Sequence, residues 1–365
     1  MHLVAVALPV LAGEHERRDV FAHATSVTGP RRPRPADAEA RSEAYLTWMR
    51  SGWHAGAVTK AQHVELIEPR DVPLGGPRAM TVRRTLPQRP RSLVGPWCFV
   101  DHYGPHHVRD SAGMDVPPHP HTGLQTAGWL FQGEIEHRDS GGVRQLVRPG
   151  ELNLMTAGAG ICHSEVSTAA TTVLHGVQLW VALPDAARHG PREFEHHVPE
   201  PFSRGGYTLR VFLGELAGQR SPVHTFTPLL GAQLDLAAGS RVDLDVDPTF
   251  EHGVLLDLGA VEVAGRRLET GDLAYLGPGS TSLRLHNPAE HPARVLLLGG
   301  PPFGEDLLMW WNFVARTHDE IVDYRRLWQD GDPRFGAVSG YSGLVTRLPA
   351  PPLPATRLRP RRRRS

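Results

Sequence analysis

The segment "VPPHPHTGLQT", residues 116–126, sets His119 and His121 two positions apart. Side chains two apart on a strand point to the same face, so this pair looks into a core together or out of it together. The spacing alone carries little weight. The chain holds 21 histidines among 365 residues, and an H-x-H pair is expected about once at that frequency. A second pair at the same spacing, His163 and Glu165 in "GAGICHSEV", adds to it. If both pairs face inward on strands that a closed barrel brings together, three imidazoles and one carboxylate converge. Three nitrogens and one oxygen suit one divalent transition metal: Fe(II) first, with Mn, Ni, Co, Cu or Zn admissible. Such a set leaves one or two positions open to O2 or a substrate.

The elements that would position these residues read as β throughout. "LQTAGWLFQG", "EIEHRDS", "VRQLVRPG", "ELNLMTAG" and "HGVQLWVAL" are short runs separated by Gly, Pro, Asp or Ser turns, a spacing that indicates a sandwich or barrel. A second series follows, from "YTLRVFLGEL" to "ARVLLLGG". "RPGELNLMTAGAGICHSE" and "ETGDLAYLGPGSTSLRLHN" each carry Gly-Glu/Asp-Leu after a turn, which reads as an internal duplication. The expected organisation is a poorly ordered leader over 1–60, a first barrel with the metal site over 61–185 and a connector over 186–205. A second barrel without metal then covers 206–303, a helical segment packed on the barrels 304–345, and a Pro/Arg-rich tail 346–365. Within the leader "SEAYLTWMRS" could form one short helix. Near the end, "LLMWWNFVARTHDEIVDYRRLWQ" has helical periodicity after Asn312, and Thr317 with Glu320 three residues on fits a capping box.

Composition narrows the classes. The length suits about two domains, and the abundance of Gly and Pro suits short strands better than helix bundles. Thirty-nine basic residues balance 39 acidic ones, so the chain as a whole has no electrostatic reason to seek nucleic acid or an anionic membrane. Arg361–Arg364 are the local exception, a basic terminus expected to be solvated. Two cysteines, Cys98 and Cys162, make no disulfide framework. No run approaches the ~20 apolar residues of a membrane span. "MHLVAVALPVLAG" lacks a charged n-region and reads as a leader rather than a secretory signal. The expectation is a monomeric cytoplasmic protein.

Gly113, His119, His121 and Gly133 reproduce most of the cupin first motif, G-x5-H-x-H-x3-E-x6-G, with Gln125 in place of its Glu and Gly133 one residue late. Gly150 and His163 supply the second motif. With "FVDHYGP", "HPHTGLQTAGWLFQGEIEHRDSGG", "HGVQLWVALP" and "MWWNFV", the chain from about Val64 to Trp328 closely resembles the pirin family. The resemblance implies an all-β bicupin of two face-to-face, jelly-roll β-barrels with a short C-terminal helix. It also implies metal in the N-terminal barrel only, held by His119, His121, His163 and Glu165.

Two activities follow from that resemblance. One is a mononuclear metal dioxygenase of the quercetin 2,3-dioxygenase type, taking O2 and a flavonol-like aromatic substrate, with Glu165 accepting the substrate's hydroxyl proton. The other is a redox-sensing iron-binding cofactor of a transcription factor or metabolic enzyme. The position matching His163 in the second barrel falls at or beside Arg284, a cation where a ligand would be needed, and "FEHGV" offers His252 singly. That barrel is expected to be structural. Gln125 is expected beside the metal as a hydrogen bonder or in packing. His102 is expected to orient a ligand or close the entrance, His106 and His107 to lie on a surface loop, and His196 and His197 to lack partner spacing. Cys162, of opposite parity to His163, should face away from the metal.

Overall fold

The computed structural model describes residues 63–74, 80–111 and 113–360. The leader, with the short helix expected in it, and Arg361–Arg364 lie outside these residues. The first strands are β1 Val64–Ile67, β2 Arg70–Leu74, β3 Met80–Leu86, β4 Trp97–His107, β5 Asp115–His121, β6 Leu124–Gln132, β7 Ile135–Asp139, β8 Arg144–Val147, β9 Leu152–Thr156, β10 Ile161–Ser167, β11 Val173–Ala182 and β12 Glu193–His197. They are followed by β13 Phe202–Arg204, β14 Tyr207–Leu213, β15 Glu215–Leu216, β16 Gln219–Arg220, β17 Leu230–Leu236, β18 Arg241–Asp245, β19 Glu251–Leu258, β20 Val261–Val263, β21 Arg266–Leu268, β22 Leu273–Leu276, β23 Ser282–His286, β24 Ala293–Gly300, β25 Leu308–Trp310 and β26 Phe313–Ala315. One helix of several turns, His318–Asp330, comes last.

Four sheets build two barrels. The first pairs a seven-stranded sheet, β12-β9-β6-β11-β4-β3-β2, with a four-stranded one, β5-β10-β7-β8. The second repeats the plan with β1-β22-β19-β24-β17-β14-β13 and β18-β23-β20-β21. The two seven-stranded sheets share a core that draws Trp97, Val100, Trp129 and Leu179 from one and Phe212, Leu255, Leu296 and Leu298 from the other. Both faces of their central strands are covered, so β11 and β24 read as near-continuous apolar runs. Each side chain buried here is worth ~1.5–3 kcal/mol, which makes apolar burial the dominant bond between the barrels. Two indoles add direction: Trp97 Nε1 donates to the carbonyls of Leu230 (3.1 Å) and Gly299 (3.2 Å), and Trp129 Nε1 to Gln233 Oε1 at 2.8 Å.

Several expected boundaries shift. Val64–Ile67, read as the start of the first barrel, pairs with β22 of the second, Val64 opposite Leu276 and Ile67 opposite Leu273. An open sheet edge invites such cover. The connector supplies an edge strand to each barrel, β12 beside β9 and β13 beside β14. In the C-terminal segment helical structure begins only at His318, with the capping box of Thr317 and Glu320 formed and Gly331 (φ 75°) as left-handed C-cap. The aromatic stretch before it makes the β25–β26 hairpin instead. Residues 346–360 are tied to the helix at several points: Trp328 Nε1 donates to the Leu348 carbonyl (2.8 Å), Leu358 N to His318 Nδ1 (3.1 Å), and the Arg347 guanidinium covers the Trp328 ring at 3.5 Å. No helix among the described residues is long and apolar enough to cross a membrane.

Candidate metal centre

β5 carries His119 and His121 on one face, and β10 runs antiparallel beside it, placing His163 opposite His119 and Ile161 opposite His121. The three imidazoles therefore converge. Ring centroids lie 5.0 Å apart for His119–His121, 4.3 Å for His119–His163 and 4.9 Å for His121–His163, and His121 Nε2 is 3.0 Å from His163 Nε2. Exposures are 6%, 2% and 1%. Gly123 follows this pair with φ +69°, and a Cβ there would collide with the Val314 carbonyl, so glycine lets the β25–β26 hairpin close on β5.

The hydrogen bonds fix tautomers. His119 Nδ1 donates to the Pro117 carbonyl at 2.9 Å and His121 Nδ1 to the Asn312 carbonyl at 3.0 Å. A carbonyl only accepts, so each Nδ1 bears the proton and each Nε2 keeps its lone pair. Burial pushes His119 down to about 4 and holds His121 and His163 well below the ordinary histidine range. All three are neutral at pH 7. Lone pairs of neutral imidazoles directed at one point form a donor set that fits a divalent transition metal.

Behind His163 stands a pair that escapes the spacing argument. His137, on β7, has its Nδ1 3.4 Å from His163 Nδ1, and its Nε2 lies 3.1 Å from Asp139 Oδ2. Asp139 accepts that Nε2–H, which leaves His137 Nδ1 to accept from His163 Nδ1 and frees His163 Nε2 for a cation. Asp139 is itself anchored, its Oδ1 accepting from Gly141 N (2.7 Å) and Val143 N (3.1 Å). The sequence signal is the period-two burial of Ile135, His137 and Asp139, in a strand that reads H-x-D.

Glu165 falls in a second group that overlaps the first. His119, His121 and His163 present ligand atoms within 4.8 Å of one another, as do His137, His163 and Glu165. The register between β5 and β10 shifts between His163 and Glu165, which faces Val116 on β5 and His137 on β7. Burial raises the Glu165 carboxyl above its usual range, with His137 acting the other way. Both pairs open into a cavity of about 390 Å³ with an aromatic wall. Trp180 stacks on Phe99 (4.0 Å, 12°) and meets the His121 ring edge-on at 5.1 Å. Trp311, at φ 52° in the hairpin turn, and Leu348 of the docked C-terminal segment line the cavity too. So does Arg84, engaged by the buried Asp101 through two 2.7 Å bonds.

Other expected neighbours lie elsewhere. Gln125 faces the inter-barrel side with Ala127 and Trp129 and donates to Thr156 Oγ1 at 2.9 Å, so it is not beside the histidines. His102 is likewise absent from the cavity. It joins His175 and Asp257, a third group with metal-like spacing, between the barrels. Arg83 Nε donates to His102 Nδ1 (3.1 Å), so His102 Nε2 carries the proton and donates to Asp257 Oδ1 (2.7 Å), while Arg294 reaches Asp257 Oδ2 at 3.3 Å. With Asp257 engaged by His102 and Arg294 and two guanidiniums at hand, this cluster is a hydrogen-bonded lock. Burial works to raise Asp257, but the imidazoles of His102 and His175 outweigh it and hold the carboxyl at about 2. His106 and His107 end strand β4, paired with β11, instead of lying on a loop. His196 Nδ1 is hydrogen-bonded with Asn153 Oδ1 at 2.6 Å, and neither His196 nor His197 belongs to a group with metal-like spacing among the described residues. Cys162 faces away from the histidines, packed with Phe313 and Trp328, its thiol pushed up to about 12 by burial.

In the second barrel Arg284 lies on the exposed face, opposite Asp243, and the interior is filled by Val242, Leu244, Leu283 and Leu285. Apolar filling, not an inward cation, removes the ligands there. Two barrels of this topology, one with a convergent histidine cluster under an aromatic wall, define a bicupin with a candidate metal site in its N-terminal barrel. The Pirin family model matches residues 79–181, and the model of the pirin C-terminal cupin domain matches residues 231–336. The chain is 44% identical over 292 residues to a Pseudomonas aeruginosa protein named "Putative quercetin 2,3-dioxygenase" (80% of this chain, 91% of that one). It is 30% identical over 257 residues to human pirin (67% and 86%). A crystal structure of quercetin 2,3-dioxygenase from Acinetobacter baumannii superposes with a TM-score of 0.77 at 38% identity, covering 82% of this chain and 98% of that one. The chain belongs to the pirin family.

Proposed function

We propose that the N-terminal barrel is a mononuclear metal dioxygenase site for flavonol-like aromatic substrates, with His119, His121, His163 and Glu165 holding one divalent metal, Fe(II) before Mn, Ni, Co, Cu or Zn. The observation that carries this reading is the union, in one cavity, of three neutral imidazoles and a wall of Trp180, Phe99 and Trp311. The Pseudomonas and Acinetobacter relatives support it by their names. Bound there, such a cation would lower the pKa of a substrate hydroxyl and offer O2 an open position.

The chain's own residues do the rest. The aromatic wall takes a flat ring system, which orients its hydroxyl toward the histidines. Glu165 is the acceptor for that hydroxyl's proton at a carboxylate oxygen. Trp311 and Leu348 exclude water from the bound face. Asp139 and His137 hold the tautomer of His163.

An aerobic assay of Fe-, Mn- and Ni-supplied protein with quercetin tests the reading. The expected result is matched consumption of quercetin and O2. Consumption of neither, with metal bound, overturns it and leaves the redox-cofactor alternative. In that case the partners pulled down should differ between the Fe(II) and Fe(III) forms.

A further inference from the structure

The C-terminal barrel has an opening of its own. A cavity of about 520 Å³ lies at its mouth, lined among others by Leu216, Val223, Leu229, Asp247, Phe250 and His252. That volume falls within the ~300–1,000 Å³ of small-molecule sites. His252 is 1% exposed, and its Nε2 is buried without a hydrogen-bond partner. Leaving a buried polar atom unmatched is costly and calls for an explanation.

The register shows where His252 points. Val254 and Leu256, two and four residues on, belong to the core inside the barrel, so His252 faces the same interior at its open end. It lies between Leu276 on β22 and Gly299 on β24. The corresponding strands of the first barrel, β9-β6-β11, hold Met155, Thr126 and Trp180 at this level. Where the first barrel has a tryptophan across its pocket, the second has a glycine, and a Cβ on Gly299 would come within 3.2 Å of His252 Cδ2. The missing side chain lets the His252 ring lie directly against β24.

The rim constrains what can enter. Asp245, Asp247 and Glu215 line the opening against a single guanidinium, Arg220, which Glu215 already engages. Anions are therefore disfavoured. Burial holds His252 neutral at pH 7, pushed down to about 4, so it offers one N–H and one lone pair without charge. Phe250 stands at the rim with its ring 6.2 Å from that of His252, and the remaining walls are mainly aliphatic. We propose that the mouth of the C-terminal barrel is a second binding site, for an uncharged small organic molecule that hydrogen-bonds His252 through a hydroxyl and lays its apolar body against Phe250. This site is independent of the metal reading.

The test is residue-resolved NMR of the full-length protein, supplied with zinc and labelled with 15N at histidine, with phenol, benzoate and benzylammonium as probes. The His252 signals are assigned by their loss in His252→Leu. Phenol should shift them saturably, benzoate should not, and Phe250→Ala, which leaves His252 in place, should weaken phenol binding at least tenfold. His252 signals unmoved by phenol overturn the site. An equal response to benzoate, or a stronger one to benzylammonium, overturns the uncharged class. An unchanged phenol affinity in Phe250→Ala removes the assigned orientation. Because the probe reads His252 itself, phenol reaching the histidines of the first barrel does not imitate a positive result.

Discussion

On strands β5 and β10 of the N-terminal barrel the inward positions are His119, His121 and His163; on β18 and β23 of the C-terminal barrel they are Val242, Leu244, Leu283 and Leu285. The second barrel still carries Asp243, Asp245 and Arg284 on these strands, but on the outer face. Because side chains alternate with period two, a shift of one residue moves a whole set of polar groups across the sheet. At the mouths the contrast runs the other way, with Trp180 across the first and Gly299 across the second. One barrel places polar groups under an aromatic cover. The other fills its floor with leucine and leaves its mouth open around a lone histidine. Phase and side-chain volume, more than residue inventory, separate a candidate metal site from a candidate organic-ligand site on one topology.

The comparison breaks most completely if the N-terminal floor is made unable to ligate. His163→Ala should lower metal affinity by more than about a hundredfold, measured by elemental analysis after dialysis against a graded chelator, and should abolish quercetin turnover. Unchanged metal content would mean that the three imidazoles are not the ligand set. Next in size is the wall. Trp180→Gly gives the first barrel the second one's residue at the matching level, and removing so large a buried ring should cost ~3–5 kcal/mol of stability, read by urea unfolding. It should also raise KM for quercetin more than it lowers kcat, since the wall binds the ring and leaves the reacting atoms alone. A loss confined to kcat would place Trp180 in a different role.

Much of this architecture was legible in advance, for reasons that differ from residue to residue. His119, His121 and His163 stood out because two-residue spacing fixes a common face whatever the register, and the repeated Gly-Glu/Asp-Leu turn exposed the duplication. Thr317 and Glu320 marked the helix start because a capping box is a local device. Gln125 misled because its place after the Gly123 turn fixes its face independently of the histidines, and the face it shares with Ala127 and Trp129 turns toward the other barrel. His102 misled because its partner, Asp257, lies 155 residues away on the opposing sheet. Arg284 was placed correctly in sequence, but an alignment on the turn says nothing of phase inside the barrel. The crossing of Val64–Ile67 into the second sheet is a long-range pairing with no local mark.

Acid sharpens the comparison at the C-terminal mouth. An unfolded histidine titrates near 6.5, whereas burial puts folded His252 at about 4. As pH falls through this window the unfolded chain takes up the proton first, so stability present above pH ~6.5 is lost progressively down to pH ~4 and falls no further on this account below it. The difference corresponds to about 3 kcal/mol. Urea titrations at several pH values should show the wild-type protein losing more stability across this window than His252→Leu. Equal slopes would mean that His252 reaches solvent or a ligand in the folded state.

The smallest expected effect tests a residue that never touches the cavity's centre. Asp139→Asn is nearly isosteric, and its amide oxygen can still accept from the backbone N–H groups of Gly141 and Val143. Satisfying that turn directs the amide nitrogen at His137 Nε2, where the carboxylate accepted a hydrogen bond. His137 must then present a lone pair at Nε2 and carry its proton at Nδ1, facing His163 Nδ1 at 3.4 Å. His163 can accept there only by moving its own proton to Nε2, the atom otherwise free for a cation. Metal affinity should fall about 10–100-fold with little change in the unfolding midpoint, and 15N imidazole shifts should report the reversed His163 tautomer. Asp139→Ala, which also releases the turn, should destabilise the fold as well. Equal metal affinity in the wild type and Asp139→Asn would show that the 3.4 Å contact does not set the His163 tautomer, and the candidate site would end at the residues that line it.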